Sequence, residues 1–218
     1  MWRPPEKAPT RLPPEPLLPA IVTGIRHATH NGPFKATLLR ALSFFLFASA
    51  SWALLPLVAR GLVNGGPQAF GILVASLGIG AVAGALLLPK LQKRLSRDVL
   101  VAGASALYAF AMLALSFFDR LWPLAGILAA AGVAWISVLS SLQVAAQMAL
   151  PNWVRSRGLA VFMAAFMGSM ALGSLLWGRL ADYGGIQLSL QVAAAGLLVA
   201  VALSWRWSIS GFDDSDLT

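Results

Sequence analysis

The chain has 218 residues, 58% of them hydrophobic and 11% charged, with a mean hydropathy of +0.76. A soluble domain carries roughly a quarter charged residues, so sixteen Lys and Arg with eight Asp and Glu cannot coat a water-facing surface of this size, and lipid must be the main solvent. The formal charge of +8 does not indicate nucleic acid, because the charges lie between long apolar runs without a recognition motif, and the absence of cysteine removes disulfide frameworks and thiolate metal sites.

Residues 1–35 hold eight of the thirteen prolines, with scattered Arg, Lys and Glu. Proline at that density breaks helices and strand ladders, so Met1 to about Pro16 reads as an extended or disordered tail. No apolar stretch follows Met1 closely enough for a signal peptide. A short amphipathic turn is expected over Leu18–His30, ended by Asn31-Gly32 and Pro33.

Six apolar segments follow, at about 37–59, 68–89, 99–118, 122–149, 158–180 and 187–206. Each is near the ~20 residues that cross a ~30 Å hydrocarbon core. The breaks between them are short, which makes consecutive helices antiparallel neighbours. The runs are continuously apolar without period-2 alternation, which excludes a β-barrel reading. The fold expected is all-α: a polytopic six-helix membrane bundle over 36–207, followed by an acidic tail at 208–218 with Asp213, Asp214 and Asp216. The second and fifth segments are both glycine-rich, and each is the middle of a three-helix block. Two such blocks would be related by inverted topology.

Charge sets the expected orientation. The N-terminal tail, the second and fourth breaks and the C-terminus hold thirteen cations, among them Lys90, Lys93, Arg94, Arg97, Arg155 and Arg157. The opposite side holds only Arg60, Arg120 and Arg179. By the positive-inside rule both termini face the cytoplasm.

Gly80 and Gly84 form a Gly-x-x-x-Gly pair, and Gly168, Gly173 and Gly178 lie in the fifth segment, where Ser169/Gly173 and Ser174/Gly178 repeat the small-x-x-x-small pattern. Small residues at this spacing let helix backbones approach, for plain packing or for a moving interface. Trp135, Leu139, Gln143 and Gln147 make one stripe of the fourth segment, and Phe45, Ser49, Trp52 and Pro56 a comparable stripe of the first. Rings with a few amides and hydroxyls suit a cavity for an amphipathic organic molecule; hydrogen bonds between helices and interfacial anchoring are the alternative. Arg40, about one turn into the first segment, is expected to snorkel to the headgroups.

Asp98, Asp119 and Asp182 all lie at segment ends, so no carboxylate is expected deep in the membrane. A proton-coupled mechanism would then draw its titratable group from elsewhere. His27 and His30, the only histidines, give no convincing metal pair, and neither a phosphate-binding loop nor a His-Glu-x-x-His motif is present. No enzymatic activity, cofactor or metal is expected.

The run Leu150-Pro-Asn-Trp-Val-Arg-Ser-Arg-Gly-Leu159 with Gly168–Gly178 resembles the loop between helices ten and eleven, and helix eleven, of major facilitator transporters. Within them it is most similar to the bacterial subgroup of the enterobactin exporter, the transmembrane secretion effectors. Leu39–Ala50 looks like helix seven of that subgroup, and Pro89–Arg97 resembles the loop between helices eight and nine without its usual acidic residue. Gly173–Leu180 is similar to a glycine-rich exporter signature that belongs to helix five, the symmetry counterpart, with Ser174 and Trp177 as departures.

The resemblance implies the C-terminal half of a transporter in the bacterial inner membrane, with residues 1–35 as the end of the linker between halves. It implies that the first and fourth segments line the central cavity. The expected function is efflux of a small organic molecule, with a second six-helix bundle, an N-terminal half or a second copy, as partner. The competing reading is a truncated or non-transporting membrane fragment or an assembly subunit.

Overall fold

A computed structural model describes residues 31–62, 65–152 and 154–204; the expected N-terminal tail, the two histidines and the acidic C-terminal tail lie outside them. The described residues are almost entirely helical: α1 (Gly32–Leu57) continued by a π-helical turn (Val58–Leu62), α2 (Gly66–Gln92), α3 (Arg97–Phe117), α4 (Leu121–Met148) and α5 (Arg155–Ser204). Helices are what lipid demands, since each satisfies its own backbone within the segment.

Among the described residues five helical elements are long and apolar enough to cross a membrane, where six were expected. The difference lies in α5, whose 50 residues run through the expected break at 181–186. At Gly185 the backbone takes φ 84° and ψ 163°, a conformation open essentially to glycine alone. The Ser189 hydroxyl donates to the Trp177 carbonyl at 2.8 Å, although these residues are twelve apart. In a straight helix they would be separated by about 18 Å along the axis. The element therefore doubles back at Gly185 into two arms, 155–184 and 186–204, so six rods stand in the bundle without an intervening coil.

The ends are set by local chemistry. Asn31 caps α1, its side-chain oxygen accepting from the Phe34 amide at 3.1 Å while its Nδ2 donates to the Ala149 carbonyl at 2.9 Å. Pro33 sits in the first turn, where its missing N–H costs nothing. The first helix thus begins at Gly32 rather than near residue 37, because Asn-Gly-Pro starts a helix here. Pro56 lies inside α1, and the π-helical turn follows it at once, the Gly65 amide reaching back to the Ala59 carbonyl at 3.2 Å. Ser96 caps α3, and Asp98 stands in its first turn.

In the bundle α1 packs chiefly on α5 and α2 on α4, while α3 bridges α4 and α5; α1 and α4 touch only lightly. The core runs through Phe34, Phe45, Leu54, Leu73, Tyr108, Met112, Leu128, Leu142 and Phe162, all fully buried. Ile79, Leu86, Phe117, Trp122, Leu172 and Leu175 point outward at 66–76% exposure, as lipid-facing side chains do.

Arg40 corrects the snorkelling expectation. It lies two turns into α1, only 7% exposed, and its guanidinium bonds the Asp98 carboxylate at 2.5 Å and the Ser204 carbonyl at 2.9 Å. It therefore joins the ends of α1, α3 and α5. The guanidinium has neighbours to bond at its own depth, and burial beside them replaces the reach to water.

Candidate functional site

Where α1 and α4 touch lightly, aromatic rings make the contact. Trp135 of α4 is the hub: its ring centroid lies 5.5 Å from Phe45, 5.6 Å from Trp52, 5.9 Å from Phe44 and 5.9 Å from Tyr108. Phe45 also meets Phe166 of α5 edge-on at 4.4 Å. Edge-to-face and tilted contacts of this kind contribute about 0.5–1.5 kcal/mol each beyond burial.

The expected stripe residues divide by depth. Phe45 and Ser49 are fully buried, Trp135 and Leu139 half-buried, and Trp52, Gln143 and Gln147 exposed. Trp52 and Trp135 thus form the open edge of the cluster, and α4 continues from it toward the basic end through Leu139 to the two amides. Ser49 looks elsewhere: its hydroxyl donates to the Leu46 carbonyl at 2.7 Å and lies against Gly173. The Trp177 indole N–H donates to the same carbonyl at 2.7 Å, which fastens the first arm of α5 to α1.

Three residues of the cluster were not legible as site residues: Phe44, Tyr108 and Phe166. Tyr108 alone carried a signal, as a phenol in the middle of an apolar run. Its hydroxyl shares a hydrogen bond with Ser51 and reaches the Ala48 carbonyl at 3.4 Å, so α3 holds α1 by a polar contact inside the core. Gln191 of the last arm, also unremarked in the sequence, donates to the Ser116 hydroxyl at 3.3 Å.

The glycines separate as clearly. A Cβ at Gly80 would meet the Ala129 carbonyl oxygen at 1.9 Å, one at Gly84 the Ile136 side chain at 2.7 Å and Val133 Cα at 2.9 Å, and one at Gly173 the Ser49 hydroxyl at 2.1 Å. Gly168 and Gly178 have nothing within 4 Å. Gly132 of α4 answers Gly80, with Leu77 O at 2.0 Å from the position of its missing Cβ.

Lys90 lies in the last turn of α2, Lys93 and Arg94 follow it, Arg97 opens α3, and Arg155 and Arg157 open α5, so all six lie at the end of the bundle that holds Asn31 and Ser204. Among the described residues no three His, Asp or Glu side chains converge as metal ligands. The site therefore offers rings, amides and close-packed helices.

Comparison with curated proteins returned no match. The family model described as transmembrane secretion effector matches residues 1–218. With helices long and apolar enough to span a bilayer, an all-helical bundle and that match over its full length, the chain belongs to the transmembrane secretion effector family of the major facilitator superfamily, a family of membrane transporters.

Proposed function

We propose that the chain is one six-rod bundle of an efflux permease for a small organic molecule, and that a second bundle completes its substrate path. The observation that carries this reading is the exposure of Gln143 and Gln147 on the same stripe of α4 as Trp135. An amide facing hydrocarbon is costly, so such a stripe belongs against protein or a water-filled cavity. The half-open Trp52–Trp135 edge beside it offers aromatic faces, and the amides offer hydrogen bonds, which together suit an amphipathic organic molecule. Phe45 and Leu139 back that edge, and Ser49 belongs to the wall behind it.

In this reading the partner is an N-terminal six-helix half or a second copy, and both termini of this bundle lie in the cytoplasm of a bacterial cell. Thirteen cations on one side against three on the other support that orientation. The tight Gly80, Gly84 and Gly173 contacts keep the bundle rigid while it rocks against its partner; Gly168 and Gly178, with open space beside them, are free to face that partner. In this reading the basic residues between the last turn of α2 and the start of α3, and at the start of α5, lie on the cytoplasmic face.

The test is reconstitution into liposomes with a fluorescent aromatic amphiphile. The purified chain held as a monomer should bind the dye but not move it, and a six-helix partner, an N-terminal half or a second copy, should restore movement that Trp135→Ala abolishes. Transport by the chain as a monomer would overturn the requirement for a second bundle.

A further inference from the structure

We propose that the basic segment from the last turn of α2 to the start of α3 is a binding site for anionic phospholipid headgroups. Lys90, Lys93, Arg94 and Arg97 fall within eight residues. The first three are exposed, and Arg97 is half-buried. Helical turning continues past Gln92, with the Arg94 and Leu95 amides both bonded to the Leu91 carbonyl at 3.0 and 2.9 Å. Spacing of four therefore keeps Lys90 with Arg94 on one stripe and Leu91 with Leu95 on the next. Both leucines are exposed, at 37% and 41%. One side of the segment carries charge and the adjoining side carries apolar surface, the pattern of a helix lying at a headgroup–acyl boundary.

Two further observations select lipid as the occupant. Leu86 and Leu87 face outward at 73% and 47% exposure, and Lys90 lies only about 6 Å beyond Leu86 along the axis. The cations thus emerge where lipid-facing surface ends, at the level of headgroup phosphates. Asp98, the carboxylate next to the segment in sequence, is directed inward to Arg40. Among the described residues none of the four cations forms an ion pair. The loop resembles a family loop whose usual acidic residue is missing here, and the neighbouring Asp98 is engaged in the core. What remains is a juxtamembrane group of four positive charges, and each such charge near an anionic surface strengthens binding about fivefold.

The experiment is native mass spectrometry of the full chain in detergent, titrated with dioleoyl-phosphatidylglycerol or dioleoyl-phosphatidylcholine. Phosphatidylglycerol should be retained at least tenfold more strongly, with the preference shrinking as salt rises. Lys90→Gln/Lys93→Gln/Arg94→Gln/Arg97→Gln should remove that preference. The charge-preserving set Lys90→Arg/Lys93→Arg/Arg94→Lys/Arg97→Lys should keep it. Equal retention of the two lipids by the unmodified chain overturns the proposal, as does a glutamine variant that still prefers phosphatidylglycerol. Displacement of the lipid by millimolar inorganic phosphate would make the site one for free phosphate and overturn it too. Should the glutamine variant fail to fold, Lys90→Gln/Lys93→Gln on its own should weaken phosphatidylglycerol at least fivefold, and no weakening refutes the assignment.

Discussion

Gly80→Ala tests how α2 and α4 are held together. In lipid the helices gain nothing from leaving water, so dispersion between close backbones must bind them. At Gly80 the new methyl would sit 1.9 Å from the Ala129 carbonyl oxygen, 2.6 Å from its carbon and 2.8 Å from its Cα, all of it backbone that no rotamer change can move. Restoring ordinary contact requires the helices to part by about 1.5 Å, and a gap of 0.5–1 Å already forfeits a quarter to a half of each dispersion contact. Gly132 lies in the same contact, so the separation is felt across the crossing. Overpacking of this kind costs about 1–3 kcal/mol, from which alanine's better helix propensity subtracts up to about 1 kcal/mol. The expected net loss is about 1–2 kcal/mol, read as a lower midpoint of unfolding in mixed detergent and dodecyl sulfate micelles. Gly78→Ala is the control: nothing lies within 4 Å, so it should be neutral or slightly stabilising. Equal midpoints for Gly80→Ala and Gly78→Ala would refute the reasoning.

Arg40→Ala should destabilise the bundle by about 2 kcal/mol, since charge-assisted bonds to Asp98 and the Ser204 carbonyl are both lost. In a double-mutant cycle with Asp98→Ala, the second change should cost less in the Arg40→Ala background than alone, and additive effects would deny the coupling. Tyr108→Phe should cost about 0.6 kcal/mol by removing the bond to Ser51, while Trp135→Ala, which loses four ring contacts, should cost several-fold more in the same unfolding assay. Gly185→Ala should cost about 1–3 kcal/mol, because φ 84° and ψ 163° are closed to a residue with a Cβ; a spectroscopic distance between labels on the two α5 arms should widen.

Most of the fold was legible because lipid leaves so few options. Length, hydropathy and short breaks fix spanning rods and their alternation, and the helix bounds differ from the expected ones by only a few residues at most ends. The exceptions have local causes. Asn31-Gly32-Pro33 has the composition of a turn, yet an asparagine cap and a proline in the first turn are equally the start of a helix. The break at 181–186 has the composition of a loop, yet hydrogen-bonded helix runs on either side of a single glycine whose φ no sequence pattern announces.

Arg40 and Ser49 mark where periodicity stops being informative. A stripe states which residues share a helix face, not which neighbour that face meets. Ser49 shares a stripe with Trp52, but its hydroxyl faces the first arm of α5 while the Trp52 ring faces Trp135. Arg40 has the position of a snorkelling cation, and only the proximity of Asp98, 58 residues on, and of Ser204, 164 residues on, turns it inward. Partners so distant in sequence are set by which rods adjoin. The glycines carry part of that information, since the two short-range repeats at Gly80 and Gly173 coincide with the α2–α4 and α1–α5 pairings. What glycine spacing omits is the light α1–α4 contact, where Phe44, Phe45 and Trp52 meet Trp135, with Tyr108 and Phe166 joining from α3 and α5. Large rings at a light helix contact are the counterpart of glycines at a close one, and reading both together is what locates the candidate site.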